Sequence, residues 1–144
     1  MEDVSRRAIE DAREWFDSAR LNLGAGNFSK SVYALEMAVE IAMKAILIAS
    51  ARDYPKRHDV YDLLEEAVMS NPGKFSLKFK SSLPAIKSCF RALLNFRTAS
   101  GYGFDTHAKT DDFREVADRY YSRVEEILNL CQSETDKLAK DKTF

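Results

Sequence analysis

The stretch SKSVYALEMAVEIAMKAILIASA, residues 29–51, decides the fold. It holds no Gly or Pro and is far longer than an ordinary strand, so it reads as one helix. At about 100° per residue, Val32, Leu35, Val39, Ala42, Ile46 and Ala49 share one apolar face. Ala34, Ala38, Ile41, Ala45 and Ile48 form a second apolar face beside it. Only a narrow polar stripe is left: Tyr33, Glu36, Glu40 and Lys44. A surface helix is apolar on one side only, so this one is expected to be buried on nearly all sides. The bundle's own core and a second subunit are the two things it can bury against. The stripe's charged part, Glu36, Glu40 and Lys44, is where a site is sought.

The flanking segments are helical too. Val4, Ala8, Ala12, Trp15, Phe16, Ala19 and Leu23 recur at steps of three and four, predicting a helix over 3–24 that Gly24 and Gly26 end. The turn at Gly26-Asn27 is short, which makes the first two helices antiparallel neighbours. After the charged loop RDYPKR, residues 52–57, His58-Asp59 opens a third helix. Asp59 is its expected N-cap, and Val60, Leu63, Leu64, Ala67 and Val68 point inward. Asn71-Pro72-Gly73 breaks the chain, and a short amphipathic helix is expected over 74–82. Pro84 suits the first turn of a further helix, capped by Ser82 and running to about Thr98 with Ile86, Phe90, Leu93 and Leu94 inside. The last helix runs from Asp111 to about Lys140, with Phe113, Val116, Ala117, Tyr120, Val124, Ile127, Leu128 and Cys131 inward.

The expected fold is therefore all-α: an antiparallel up-and-down four-helix bundle with one or two short extra helices. A single domain spans residues 1–144, with a polar tail from about residue 139. Its length is enough to bury a core without staples. A net charge of −1 gives no general pull towards nucleic acid or anionic membrane. Cys89 and Cys131 lie in helical apolar patterns without CxxC spacing and read as reduced core thiols. With two histidines and few clustered ligands, no metal or other cofactor is expected. Nothing resembles a signal peptide and no apolar run can span a membrane, so the expected location is cytoplasmic.

Arg97 is the most informative single residue. Its helix places Ile86, Phe90 and Leu93 inward, and the next step of four reaches Arg97. A guanidinium at the end of an apolar stripe is costly unless a carboxylate or an anion meets it. Glu36 and Glu40 are the intramolecular candidates, so Arg97 reads either as an interhelical ion pair or as a ligand-binding or catalytic arginine. Lys56, Arg57, His58 and Asp59 at a helix start form a second candidate, because free N–H groups there favour a phosphate. There is no Gly-rich phosphate loop, HExxH or nucleophile elbow.

The central helix carries Ala38-Glu40-Ala42-Lys44-Ala45-Leu47 in an AxExAxKAxL-type pattern. A Pro-containing loop follows, then His58-Asp59 before the paired Leu63-Leu64, and later Arg97 before Tyr102-Gly103. Over nearly the whole chain this order resembles the HEPN domain family (higher eukaryotes and prokaryotes nucleotide-binding). The resemblance implies a dimerising bundle that binds a nucleotide, RNA or a minimal nucleotidyltransferase partner, in systems of the toxin–antitoxin type. From the stripe, the loop and the end of the apolar face, the candidate ligand contacts are Glu36, Glu40, Lys44, Arg57, His58, Asp59 and Arg97. Active members are metal-independent ribonucleases with an Arg-x4-6-His motif. Here positions five, six and seven after Arg97 are Tyr102, Gly103 and Phe104, and His107 lies ten positions on. A tyrosine, with a pKa of about 10, is a poor general base near neutral pH. The expectation is a non-catalytic member. The alternative is a ribonuclease using Arg97, with Tyr102 or His107 as the second group. A further alternative is a tetratricopeptide-like scaffold, since residues 26–42 look like one such helix, though no second copy follows about 34 residues on.

Overall fold

The first two helices are joined by a three-residue turn that the sequence closes in a specific way. The computed structural model describes residues 2–53, 56, 58–97 and 110–141. Helix α1 spans Glu2–Gly24 and α2 spans Phe28–Ala49. Gly26 takes a φ of 81°, its N–H donates to the Leu23 carbonyl, and the Asn27 N–H reaches back to the Asn22 carbonyl at 2.8 Å. These two bonds close the end of α1 as glycine-containing helix ends do. Asn27 then precedes α2 without a side-chain cap. The chain continues through α3 at Tyr61–Ser70, a 3-10 turn at Pro72–Lys74, α4 at Leu77–Asn95 and α5 at Thr110–Asp141. Among the described residues there is no strand, and the fold is all-α: four principal helices with one short helix and one short turn added.

Helix α2 is the axis of the bundle, packing against α1, α3, α4 and α5. Val32, Leu35, Val39, Ala42 and Ile46 are fully buried, as their shared face predicts. The second apolar face needs no second subunit for its burial. Ala34, Ala38 and Ala45 are at most 1% exposed inside the single chain, with Ile41 and Ile48 partly covered. Small side chains are the physical reason: Ala12 and Ala19 of α1 are themselves fully buried, so two helices lined with alanine can approach closely. The Ser31 hydroxyl adds a bond to the Ala19 carbonyl at 2.8 Å. The apolar surplus that suggested a dimer face is thus consumed within the chain.

Two boundaries differ from the sequence expectation. Helix α3 starts at Tyr61, with Val60 at its cap position, so Asp59 is not the N-cap. Instead an Asp59 carboxylate oxygen lies 3.6 Å from Arg91 of α4, which also pairs with Asp62 at 3.1 Å. The segments expected as two helices around Pro84 form the single helix α4. Pro84 faces solvent, where water can take up the carbonyl it frees, while Phe79, Ile86, Cys89, Phe90 and Leu93 continue one buried stripe past it. The cap is Ser76, whose hydroxyl accepts from the Phe79 N–H at 3.1 Å, and not Ser82. Helix α5 ends at Asp141, within a residue of the expected Lys140.

Candidate functional site

The polar stripe of α2 is buried almost as deeply as its apolar faces. Glu36 is 0% exposed and Glu40 is 1% exposed. Two buried carboxyls one helical turn apart must each meet a cation or keep a proton. The structure supplies different partners to each.

Arg97, just beyond α4, reaches Glu36. Its Nε lies 3.3 Å from a Glu36 carboxyl oxygen, yet neither that nitrogen nor either Glu36 oxygen has an aligned hydrogen-bond partner. The guanidinium is better held by Tyr33, one turn before. Its Nη2 donates to the Tyr33 hydroxyl at 3.1 Å and its centre lies 5.0 Å from the ring centroid. The Met37 sulfur, 3.8 Å from Nη2, completes the contact. The Trp15 ring of α1 lies 6.1 Å from that of Tyr33.

Glu40 is held by two groups. Lys44 Nζ donates to one carboxylate oxygen at 3.0 Å from the next turn of α2. His58, from the loop before α3, brings Nδ1 to 3.0 and 3.1 Å from the two oxygens. Glu36 is left without an aligned donor. Burial, with Glu40 close by, pushes its carboxyl up to about 9, and the Arg97 guanidinium only partly opposes the rise. Near neutral pH Glu36 therefore keeps its proton, and Arg97 faces a neutral acid.

Of the residues expected at a site, the structure brings together Glu36, Glu40, Lys44, His58 and Arg97. Asp59 turns to Arg91 instead, and Arg57, Tyr102 and His107 lie outside the described residues. At the suggested phosphate site before α3, His58 lies three residues ahead of that helix and is engaged by Glu40. Sequence reasoning left Tyr33 and Met37 out of the site. Tyr33 stands on the same stripe, one turn before Glu36 and Met37, and an aromatic at that spacing from a buried carboxylate was the available signal.

A family model described as HEPN domain matches residues 5–134, from within the first helix to within the last. The chain belongs to the HEPN domain family. HEPN domains are nucleotide-binding and ribonuclease-like helical modules, and this one presents Arg97 and its α2 partners within the matched span. The match also runs through residues 26–42, the stretch that looks like a tetratricopeptide helix. That helix is the enclosed axis of a bundle here, not one layer of a stack. No curated protein and no solved structure matches the chain. Among the described residues no helix is long and apolar enough to cross a membrane, and no cluster of His, Cys, Asp and Glu has the makings of a metal site.

Proposed function

We propose that this HEPN domain is a nucleotide-binding module that works beside a minimal nucleotidyltransferase, as a homodimer, in a system of the toxin–antitoxin type. Its primary work in this reading is binding, because the residues after Arg97 lack the histidine of the family's arginine–histidine spacing. The observation that carries the reading is the state of Arg97. Its guanidinium is anchored by the Tyr33 hydroxyl and ring, and its carboxyl neighbour Glu36 is held protonated by burial. A guanidinium kept in place but not matched by an ionised carboxylate is suited to an external phosphate, whose oxygens its N–H groups can meet in pairs. The side chain is 20% exposed, enough for a ligand to reach it.

The test is thermal unfolding with and without ATP, GTP and AMP. A nucleotide present at a hundred times its dissociation constant adds about 2.7 kcal/mol to stability. Arg97→Ala removes that shift while leaving the ligand-free melting curve cooperative. If millimolar nucleotide leaves the melting temperature unmoved, the nucleotide reading fails. Light scattering of the purified chain tests the homodimer, and co-purification with a co-expressed minimal nucleotidyltransferase tests the partner.

A further inference from the structure

Glu40 is a fixed carboxylate. It is 1% exposed and already carries Lys44 at 3.0 Å, so its charge does not require a second partner. His58 nevertheless brings Nδ1 to 3.0 and 3.1 Å from its two oxygens, while about half of the His58 side chain stays open to solvent. In the neutral imidazole, a carboxylate at Nδ1 holds the proton there and leaves the lone pair on Nε2. Among the described residues Nε2 has no hydrogen-bond partner. The ring is thus anchored through one nitrogen, and the other is left free to meet a reagent.

What surrounds that nitrogen sets its chemistry. When the Nε2 lone pair bonds to an electrophile, Nδ1 keeps its proton and the ring gains a positive charge. This charge develops against the Glu40 carboxylate, which the fold has already put in place. A buried acid behind a half-exposed imidazole therefore favours the ring as a nucleophile. The loop leading to it, RDYPKR over residues 52–57, holds Arg52, Lys56 and Arg57 against the single acid Asp53. The next acid, Asp59, is engaged by Arg91. Such a loop attracts an anionic electrophile, and a phosphoryl group is one that a ring nitrogen attacks. No described group stands at Nε2 to protonate a leaving group. The donor must then be one whose leaving group departs as a stable anion, as an acyl phosphate does.

We infer that His58 is a phosphoryl-acceptor site, modified on Nε2 by an acyl phosphate, with Glu40 as its positioning residue. The Nε2 lone pair forms a bond to phosphorus, and the bond from phosphorus to the bridging oxygen breaks. The electron pair leaves on that oxygen, which departs as a carboxylate. The product is an Nε2-phosphohistidine whose proton stays on Nδ1, against Glu40. The negative charge carried off by the carboxylate balances the positive charge gained by the ring, and no oxidant or reductant takes part. Lys44 helps to fix the Glu40 carboxylate. The site uses neither Arg97 nor a nucleotide, so it stands or falls apart from the nucleotide reading.

The experiment treats the full chain with acetyl phosphate at neutral pH. Intact mass is followed under non-acidic conditions, and phosphorus NMR identifies the ring isomer. The expected result is the added mass of one phosphoryl group, lost in mild acid, with the signal of the Nε2 isomer alone. His58→Gln does not gain the acid-labile phosphate. The wild-type chain unfolded in urea, where His58 has left Glu40, is labelled at least about tenfold more slowly and gives both ring isomers. Glu40→Ala, while folded, shows the same slowing and the same mixture, which a role confined to ordering the loop does not produce. A native chain that takes no acid-labile phosphate overturns the inference, and so does equal labelling of His58→Gln. Native and unfolded chains labelled at the same rate overturn it too, because the imidazole then gains nothing from Glu40. Should Glu40→Ala not fold, the native and unfolded wild-type chains decide together with His58→Gln, whose replaced side chain is half exposed in a loop.

Discussion

Glu36 keeps its proton because burial, with Glu40 beside it, disfavours its charged form, and this has a consequence for stability that can be measured. In the unfolded chain a glutamate ionises near 4.5; folded, Glu36 holds on to its proton up to about 9. Between those values the folded chain binds a proton that the unfolded chain has released, so stability must fall as pH rises through the window. Urea midpoints are expected to decrease between pH 5 and pH 9. Glu36→Gln, which keeps the shape without the titration, is expected to flatten the slope. A wild-type midpoint that rises over this range, or an unchanged slope in the variant, contradicts the assignment. The two thiols make a second case at this scale. Burial pushes both Cys89 and Cys131 up to about 12, so neither is a thiolate near neutral pH. A thiol reagent added to the native protein is expected to label neither until denaturant is present, and rapid labelling of the native protein would contradict their burial.

Helix ends carry the information that a reading of periodicity leaves out. Glu134 of α5 is 3% exposed and accepts from the Ser76 N–H at 2.8 Å and the Ser76 hydroxyl at 2.7 Å. A carboxylate is thereby placed at the start of α4, where free N–H groups and the helix dipole favour it. One turn on, Lys137 Nζ donates to the Lys74 carbonyl at 2.8 Å. Glu134→Ala is expected to lower stability by about 1–3 kcal/mol, the cost of orphaning buried donors, as read from a urea titration. An effect below a few tenths of a kcal/mol would mean that water replaces the carboxylate. The end of α2 works differently. Ala51 adopts a φ of 61°, and the Arg52 N–H closes on the Leu47 carbonyl at 2.8 Å. This is the left-handed position that glycine fills without a Cβ penalty, so Ala51→Gly is expected to stabilise the fold by about 1 kcal/mol. A melting temperature that falls instead would show that the entropy of the unfolded glycine outweighs the relief.

The bundle covers its central helix from within. Ala38 is fully buried in the single chain, so enlarging it crowds the interior of one protomer. Ala38→Leu is expected to cost about 1–3 kcal/mol by overpacking, equally at low and high protein concentration. Were Ala38 instead part of a subunit contact, the loss would grow on dilution, because dissociation and unfolding would then be linked by mass action. Chemical denaturation at two widely separated concentrations distinguishes the two. The same packing bears on how a homodimer would form: its contact must use surfaces other than the alanine face of α2.

Much of this was legible in the residues alone. The unbroken run of 29–51 determined a central helix, and its periodicity determined which side chains stand on the polar stripe. The step of four from Leu93 placed Arg97 at the end of an apolar face, where a charged partner was required. These follow from local geometry, because a helix repeats every few residues and the pattern lies within one segment. What covers each face depends on segments distant in the chain. The alanine face is closed by α1, His58 reaches Glu40 across 18 residues, and Glu134 reaches Ser76 across 58. The proton on Glu36 is likewise a tertiary property, since burial and neighbouring charges set it. The sequence by itself determined an all-α bundle with a charged stripe at its axis. Only the tertiary structure decided which acid keeps a proton, which one holds the histidine, and which apolar face needs no partner, because desolvation and pairing exist only once the helices meet.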